Sequence, residues 1–279
     1  MSSSTGADKT ENPPDSTKIA GCIAMFHYKI KLTKKPGTQS LENSEIVDMI
    51  DDYLSPLDNN GQFVSGYNLY SDGTFFYVTL VLPEEDSMSN AYGNHYVKTH
   101  TERLRTFFDI ELIREGVDLE HHRSCACEKP SWFLLYPESG HYSPLICGDC
   151  RGSVPLYKVP YPSSDTEHTE ILNWRNAYCN MRNLWVHSLW DRFTSAQMRK
   201  HNSKLNLEGR DICAELEKKL SVPVYYFLHY QIEAWVGAGK TPKVCPQCGN
   251  DWAVNPEFYK CETCRLITTN PDWVKRDDN

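Results

Sequence analysis

Residues 244–266, VCPQCGNDWAVNPEFYKCETCRL, carry the pattern that decides the fold of the C-terminal part of the chain. Cys245 and Cys248 form one C-x-x-C pair, and Cys261 and Cys264 form a second pair after twelve intervening residues. Four thiolates presented by two tight turns are the tetrahedral ligand set of a structural Zn²⁺. The residues between the pairs predict two short strands that bring the turns together. We therefore predict a zinc ribbon.

The alternative for such a pattern is a redox-active C-x-x-C motif. That chemistry belongs to a thioredoxin-like βαβ context. The residues around the two pairs predict no such context, so metal binding is favoured.

A second group of four cysteines lies upstream, within SCACEKPSWFLLYPESGHYSPLICGDCRGSVPLYKVP at residues 124–160. Cys125 and Cys127 form a C-x-C pair, and Cys147 and Cys150 form a C-x-x-C pair. Small loop-rich inserts usually need a metal or a disulfide to hold them. We predict a second four-thiolate zinc site on a β-hairpin insert, with four buried, metal-free thiols as the alternative.

The hairpin of this insert is predicted from a strand at 132–136 and a returning strand at 154–159. Three nearby histidines, His121, His122 and His141, could replace a weak ligand, although such residues are more often surface histidines. The three remaining cysteines lie within apolar patterns and are predicted to be core residues. They are Cys22, Cys179 and Cys213.

The N-terminal part of the chain alternates strand-like and helix-like patterns. Strands are predicted at 19–32, 63–70, 75–82 and 107–114, and helices at 40–54 and 92–105. Asp72-Gly73 between two alternating runs is a strong hairpin signal. The order β-α-β-β-α-β matches the ferredoxin-like, or split βαβ, unit, with a generic α+β sandwich as the alternative.

The segment after residue 160 is predicted to be mainly helical. A long helix is expected to run to about Lys200, and a second one over 207–220, capped by Asn206 and followed by a strand at 221–230. One apolar stripe of the first helix is interpreted as a core seam, with a binding groove as the alternative. The stripe comprises Trp174, Tyr178, Met181, Trp185, Leu189 and Phe193.

Composition limits the classes of function. The 279 residues carry a net charge of −8, and residues 18–124 hold 10 basic against 16 acidic residues, whereas residues 237–279 are balanced. A nucleic-acid binder would be expected to show a basic patch. The absence of a secretory signal in residues 1–16 and the clustered cysteines favour the reducing cytoplasm.

No catalytic motif is recognised in the sequence, and a closed four-thiolate site leaves no position for a catalytic water. The acidic clusters Asp51-Asp52 and Glu84-Glu85-Asp86 are interpreted as solvated surface. We therefore expect no catalytic residues, no organic cofactor and no enzymatic activity.

The run LNLEGRDICAELEKKLSVPVYYFL, followed by CPQCG, Trp252 and YKCETCRL, resembles an uncharacterised bacterial family of zinc-ribbon-containing proteins to which nucleic-acid binding has been ascribed. The resemblance covers residues 206–268. It implies that Cys245, Cys248, Cys261 and Cys264 are the ribbon ligands and that relatives lie beside polymorphic toxin genes.

Together these patterns predict an α+β protein with two structural zinc ions. The predicted units are a disordered tail at 1–17, a ferredoxin-like domain at 18–120, the four-cysteine insert at 121–160, a helical segment with a strand at 161–236, and the ribbon at 237–279.

The favoured function is a non-catalytic protein-binding module of the immunity or antitoxin type that blocks a basic toxin domain. The alternative is nucleic-acid binding through aromatic and basic side chains of the ribbon. These are Trp252, Phe258, Tyr259, Lys260, Arg265, Trp273, Lys275 and Arg276.

Overall fold

The fold is known from a computed structural model of the chain. It describes residues 18–19, 22–38, 40–121, 123–137, 140–163, 167–187, 189–230, 242–255 and 257–269. The predicted tail at 1–17 lies outside the described residues, as do Trp273, Lys275 and Arg276.

The N-terminal unit is a four-stranded antiparallel sheet with two helices. Its elements are β3 (Phe26–Lys34), α1 (Asn43–Asn59), β4 (Val64–Ser71), β5 (Phe76–Leu82), α2 (His95–Phe107) and β6 (Phe108–Val117). The strand order β4-β5-β3-β6 places the first and third strands of the motif at the centre. This is the order of a ferredoxin-like unit, and the prediction of that topology is confirmed.

Local sequence explains these elements. Along β3 the side chains of Tyr28, Ile30 and Leu32 alternate into the core beneath the helices. Glu42 and Glu45 form a reciprocal capping box at the start of α1. The Asp72 carboxylate accepts hydrogen bonds from the backbone of Thr74 and Phe75, which fixes the β4–β5 turn.

The C-terminal part is built on a six-stranded sheet. Its strands are β8 (Phe133–Leu135), β9 (Leu145–Cys147), β10 (Val224–Phe227), β11 (Ala253–Val254), β12 (Phe258–Cys261) and β13 (Leu266–Thr269). Their order in the sheet is β11-β12-β13-β10-β8-β9. The middle strand, β10, pairs in parallel with both β8 and β13. The predicted insert, helical segment and ribbon therefore contribute strands to one sheet.

Three helices cover one face of this sheet: α3 (Thr169–Val186), α4 (Asp191–Arg199) and α5 (Lys204–Leu220). The predicted single helix to Lys200 is wrong, because Trp190 adopts a left-handed conformation with φ 55° and separates α3 from α4. Ser203, not Asn206, caps α5. Asn206 is instead buried, and its amide donates to the carbonyls of Met198 and Lys200.

A small sheet of β1 (Lys18–Ile19), β2 (Cys22–Ile23) and β7 (Ser124–Cys125) joins the chain before β3 to the cysteine-rich insert. The returning strand of the insert hairpin is β9, and the strand predicted at 154–159 is wrong. There Pro155, which cannot donate a backbone hydrogen bond, precedes a 3-10 helix at Leu156–Lys158.

The two units meet along a polar seam. Glu84 was predicted to lie on a solvated surface, but its side chain is 9% exposed and accepts hydrogen bonds from Tyr157 and Lys158. The Tyr161 hydroxyl donates to Asn60 across the same seam. Among the described residues, the helices include none that is both long and apolar enough to cross a membrane.

Candidate metal centres

The structure brings the four cysteines of each predicted group together. The upstream group consists of Cys125, Cys127, Cys147 and Cys150, and the ribbon group of Cys245, Cys248, Cys261 and Cys264. Within each group the sulfur atoms all lie within 4.8 Å of one another. The described residues form no other cluster of three or more metal-ligand side chains that meets this spacing.

The sulfur geometry fits a tetrahedral ion. A tetrahedron with metal–sulfur bonds of about 2.3 Å has sulfur–sulfur edges of about 3.8 Å. The Sγ atoms of Cys248 and Cys261 are 3.7 Å apart. Both groups could therefore hold a metal ion. Four cysteines would complete its coordination and leave no open position, which is the arrangement of a structural site.

Each C-x-x-C turn is followed by a residue in the left-handed conformation. Arg151 (φ 62°) follows Cys150, Gly249 (φ 75°) follows Cys248, and Arg265 (φ 51°) follows Cys264. This conformation is costly for residues other than glycine. Its recurrence at three turns indicates that folding the backbone back beneath the sulfur atoms outweighs that cost.

Backbone groups support the turns. In the upstream group the amide of Arg151 donates to the carbonyl of Cys147, and the amide of Gly152 lies 3.4 Å from the Cys150 sulfur. In the ribbon the amide of Gly249 donates to the carbonyl of Cys245. These bonds fix the backbone of the turns that present the sulfur atoms.

Neighbouring thiols within a group have pKa values that are shifted in opposite directions. A hydrogen bond from Cys125 lowers the pKa of Cys147 to about 5, and the same bond, with burial, raises the pKa of Cys125. Burial raises the pKa of Cys150 to about 11. In the ribbon, a hydrogen bond from the Asn250 backbone lowers the pKa of Cys248 to about 7. A divalent cation would supply the positive charge that lets all four thiols of a group ionise.

A fifth thiol that was predicted only as core lies beside the upstream group. Cys22 is buried, is the register partner of Cys125 in the small sheet, and its thiol lies 3.3 Å from the carbonyl oxygen of Cys150. No sequence spacing signals this proximity, because β2 and β7 flank the whole ferredoxin-like unit. The other two unassigned cysteines differ, since Cys213 is buried and Cys179 is half-buried.

Two of the three predicted histidine substitutes, His121 and His141, lie outside both groups. The His121 ring contacts Asp118, and the His141 ring lies 2.8 Å from the Ser153 hydroxyl. His122 lies outside the described residues.

Five of the eight aromatic and basic residues predicted to contact nucleic acid lie in the described part of the chain, and each of these five has a partner within the protein. Trp252 is buried and donates to the Pro242 carbonyl. Lys260 lies 4.1 Å from the ring centre of Tyr225 and pairs with Glu262. In addition, Arg151 lies over Phe258, Tyr259 stacks on Trp252, and Arg265 pairs with Glu217 and Glu262.

Comparisons with known proteins place this chain near uncharacterised bacterial proteins. Residues 25–112 and 127–229 match two family models, each described as a domain of unknown function (DUF8589 and DUF2310). Two uncharacterised proteins of Haemophilus influenzae are each 27% identical, over 77% and 69% of this chain and 86% and 94% of their own lengths. Together the matches support an uncharacterised bacterial family.

Solved structures match only about a third of the chain. The cofactor-independent oxygenase SnoaB from Streptomyces nogalater is 12% identical, with a TM-score of 0.28, over 34% of this chain and 95% of its own. Rv0793 from Mycobacterium tuberculosis is 11% identical, with a TM-score of 0.27, over 35% and 98%. The prediction that this chain is not an enzyme is contradicted by the oxygenase match and is withdrawn. The likeness assigns no reaction to this chain.

Proposed function

We propose that this protein is a zinc-braced protein-binding module. The observation that carries the proposal is an exposed apolar cluster at the α3–α4 junction. Val186, Leu189, Trp190 and Phe193 have exposed fractions of 57%, 55%, 73% and 51%. We call these four residues the apolar tip. Contiguous exposed apolar side chains commonly mark interaction sites.

Two residues of the apolar tip, Leu189 and Phe193, are the far end of the stripe interpreted from sequence as a core seam. Trp174 and Tyr178, at the near end, are buried against the six-stranded sheet. Beyond Val186 the left-handed Trp190 turns the chain, so the last residues of the stripe leave the core. The part that faces solvent thus adjoins a part that is packed in the core.

Zinc is the ion we propose for both cysteine groups, since a closed set of four thiolates is characteristic of structural zinc. Elemental analysis of the purified full-length protein should give two zinc ions per chain. If the protein holds one zinc ion per chain and Cys248→Ser loses it, the upstream group is not a zinc site.

The narrower form of the proposal is an immunity-type role in the cytoplasm, in which the protein binds and blocks a basic toxin domain. Its support is the charge of α1, which has five acidic and no basic side chains. Glu45, Asp48, Asp51 and Asp52 among them are exposed. A concentration of one charge on a surface accelerates encounter with a partner of opposite charge.

The test is binding to the product of the neighbouring gene, measured with purified proteins. Trp190→Ala should weaken binding at least about 30-fold, as expected when a buried interface tryptophan is truncated. The matched control is Leu119→Ala, because Leu119 is 91% exposed and lies outside the tip. Equal affinities for the two variants would contradict the role of the tip.

The acidic charge of α1 provides a test that distinguishes the immunity-type proposal from the general protein-binding proposal. The double variant Asp48→Asn/Asp51→Asn should slow association with a basic partner, and added salt should reduce the difference from the wild type. If a partner binds at the tip but associates with this variant as fast as with the wild type, the protein-binding proposal stands and electrostatic steering by α1 is excluded.

Nucleic-acid binding is the alternative function, and one observation favours it. Residues 171–201 hold five basic residues and one acidic one, and the rings of Trp190 and Phe193 in this stretch are exposed. Cations next to exposed aromatic rings are typical of single-strand binding. A gel shift in low salt with single- and double-stranded probes tests this alternative, and no shift would end it.

A further inference from the structure

A buried carboxylate lies between two imidazoles at one end of the ferredoxin-like sheet. The Asp118 side chain is 1% exposed. One of its oxygens is 3.2 Å from His27 Nε2, and both are 3.2 Å from His121 Nδ1. The backbone amide of His121 also donates to Asp118, and the Asp118 amide donates to the Met25 carbonyl. The carboxylate is thus held by both its side chain and its backbone.

Two irregularities in the sheet form the surroundings of this cluster. The pairing of β3 with β6 shifts register between His27 and Tyr28. The pairing of β4 with β5 shifts between Val64 and Asn68, where Gly66 has φ +104°. Such bulges are enriched beside active sites, because they redirect side chains.

Between the irregularities lies a cleft of about 340 Å³. Its walls combine apolar groups with a few polar ones, as ligand sites do. They are formed by His27, Val64, Gly66, Tyr67, Asn68, Thr79, Leu80, Val81 and His121. Val64 and Val81 also pack with Met25 and Tyr142, so the cleft adjoins the contact with the cysteine-rich insert.

The hydrogen bond with Asp118 fixes the tautomer of a neutral His121. A carboxylate only accepts hydrogen bonds, so His121 donates from Nδ1 and keeps its lone pair on Nε2. His27 Nε2 lies at ion-pair distance from the same carboxylate. A base oriented by a buried carboxylate is the arrangement that activates an imidazole for proton transfer.

We propose that this cleft is an acid–base site for a small uncharged organic molecule that carries an ionisable O–H or C–H group. His27 and His121 are the catalytic residues, and Asp118 is a positioning residue. The amide of Asn68 and the hydroxyl of Thr79 are the polar groups available to orient such a molecule. The proposal is independent of the apolar tip and of any protein partner.

The step is a single proton transfer. The O–H or C–H bond of the ligand breaks, its electron pair stays on the ligand as an anion, and a new N–H bond forms at the imidazole lone pair. Asp118 stabilises the resulting imidazolium. Return of the proton to another atom of the ligand would complete an isomerisation, and no oxidant or reductant is needed.

A metal site is a poorer interpretation of this cluster. Among the described residues, only the two cysteine groups bring three or more ligand atoms within 4.8 Å of one another. Asp118 is already engaged by both rings, as in an orienting carboxylate.

The experiment uses the zinc-loaded full-length protein and 5-nitrobenzisoxazole, whose ring opens when a base removes the proton on C3. The N–O bond then breaks, and the released nitrophenolate is measured by its absorbance. We expect saturable catalysis by the wild type and at least a tenfold loss in His27→Gln or His121→Gln. His95→Gln, at an exposed position of α2, is the matched control. A rate unchanged in the double variant His27→Gln/His121→Gln, with zinc content and circular dichroism preserved, would overturn the proposal.

The positioning role of Asp118 has a spectroscopic readout. Nitrogen-15 NMR should show neutral His121 with its proton on Nδ1 in the wild type. In Asp118→Asn, which keeps the shape of the side chain, that tautomer should be lost together with the activity. Loss of activity with the tautomer retained would contradict the role assigned to Asp118.

Discussion

The two cysteine groups have the same ligand chemistry but lie in different surroundings. In the upstream group Cys125 and Cys147 are buried, and the small sheet of β1, β2 and β7 ties the group to the chain that enters the ferredoxin-like unit. In the ribbon group Cys245 and Cys261 are buried as well, but Cys248 is exposed, and the ribbon strands form one end of the six-stranded sheet. The difference indicates that the upstream ion would join two units, whereas the ribbon ion would close the end of one.

The largest expected effect comes from removing one ligand of each group. Cys147→Ser should lower the free energy of unfolding by on the order of 5 kcal/mol, because it leaves a buried site incomplete at the junction. Cys248→Ser should cost about 2 kcal/mol, since its sulfur is exposed and the sheet beyond β13 remains paired. Denaturant unfolding followed by circular dichroism measures both values.

Cys179→Ser, on α3 and outside both groups, is the control and should change stability by less than about 0.5 kcal/mol. Equal losses for Cys147→Ser and Cys248→Ser would remove the distinction between the two groups.

An intermediate effect is expected at the polar seam. Glu84→Gln keeps the shape of the side chain but removes the charge that pairs with Lys158, so we expect a loss of about 1–3 kcal/mol. It should also speed release of the upstream ion to a chelator and leave the ribbon ion unaffected. The control is Glu85→Gln. Glu85 and its partner Arg114 are both half-exposed, so this change should lower the free energy of unfolding by less than about 0.5 kcal/mol.

If Glu84→Gln accelerates loss of both ions equally, the seam does not act on the upstream group in particular. The comparison between the two groups would then rest on burial alone.

The smallest effect concerns pH. Burial lowers the pKa of His168 to about 4, against a smaller opposing effect of the Leu156 backbone. Between pH 6.5 and 4 the unfolded chain therefore binds a proton that the folded chain does not, and stability falls as pH falls. Between pH 7.5 and pH 5.5 this residue should lower the free energy of unfolding by about 1.3 kcal/mol.

His168→Phe retains a ring to pack against Tyr161, whose ring centre is 4.5 Å from that of His168 in the wild type, and should remove this part of the pH dependence. Thermal unfolding at matched zinc content measures the effect, with His95→Phe at an exposed site as control. If the stability of His168→Phe depends on pH as strongly as that of the wild type, acid destabilises the protein at another site, for example by releasing the metal ions.

Sequence patterns were sufficient for features that local spacing determines. The alternation in β3 and the Asp72-Gly73 turn predicted the ferredoxin-like unit, and the C-x-x-C spacings predicted which cysteines meet. The parallel pairing of β10 with β8 and β13 was not predicted, because it joins strands that are distant in the chain. The break at Trp190 was missed because a left-handed tryptophan has no local sequence signal.

The acid–base cluster was missed for the same physical reason. His27 begins the ferredoxin-like unit, whereas Asp118 and His121 follow its last strand, and only antiparallel pairing of β3 with β6 brings them together. The sequence predicts His121 as a surface histidine or a substitute metal ligand, and nothing in its pattern indicates a contact with a buried carboxylate. The β4 register shift depends on Gly66, which a single sequence does not distinguish from an ordinary strand glycine.

The position of β10 has a consequence for biosynthesis. The ribosome releases the complete ferredoxin-like unit first, then the β8–β9 hairpin, and the central strand of the second sheet only after three helices have been made. Until then β8 presents an unpaired edge, a feature that promotes association between nascent chains. Early capture of a metal ion by the upstream thiols would restrain that hairpin during the wait, so metal supply during translation should govern the yield of folded protein.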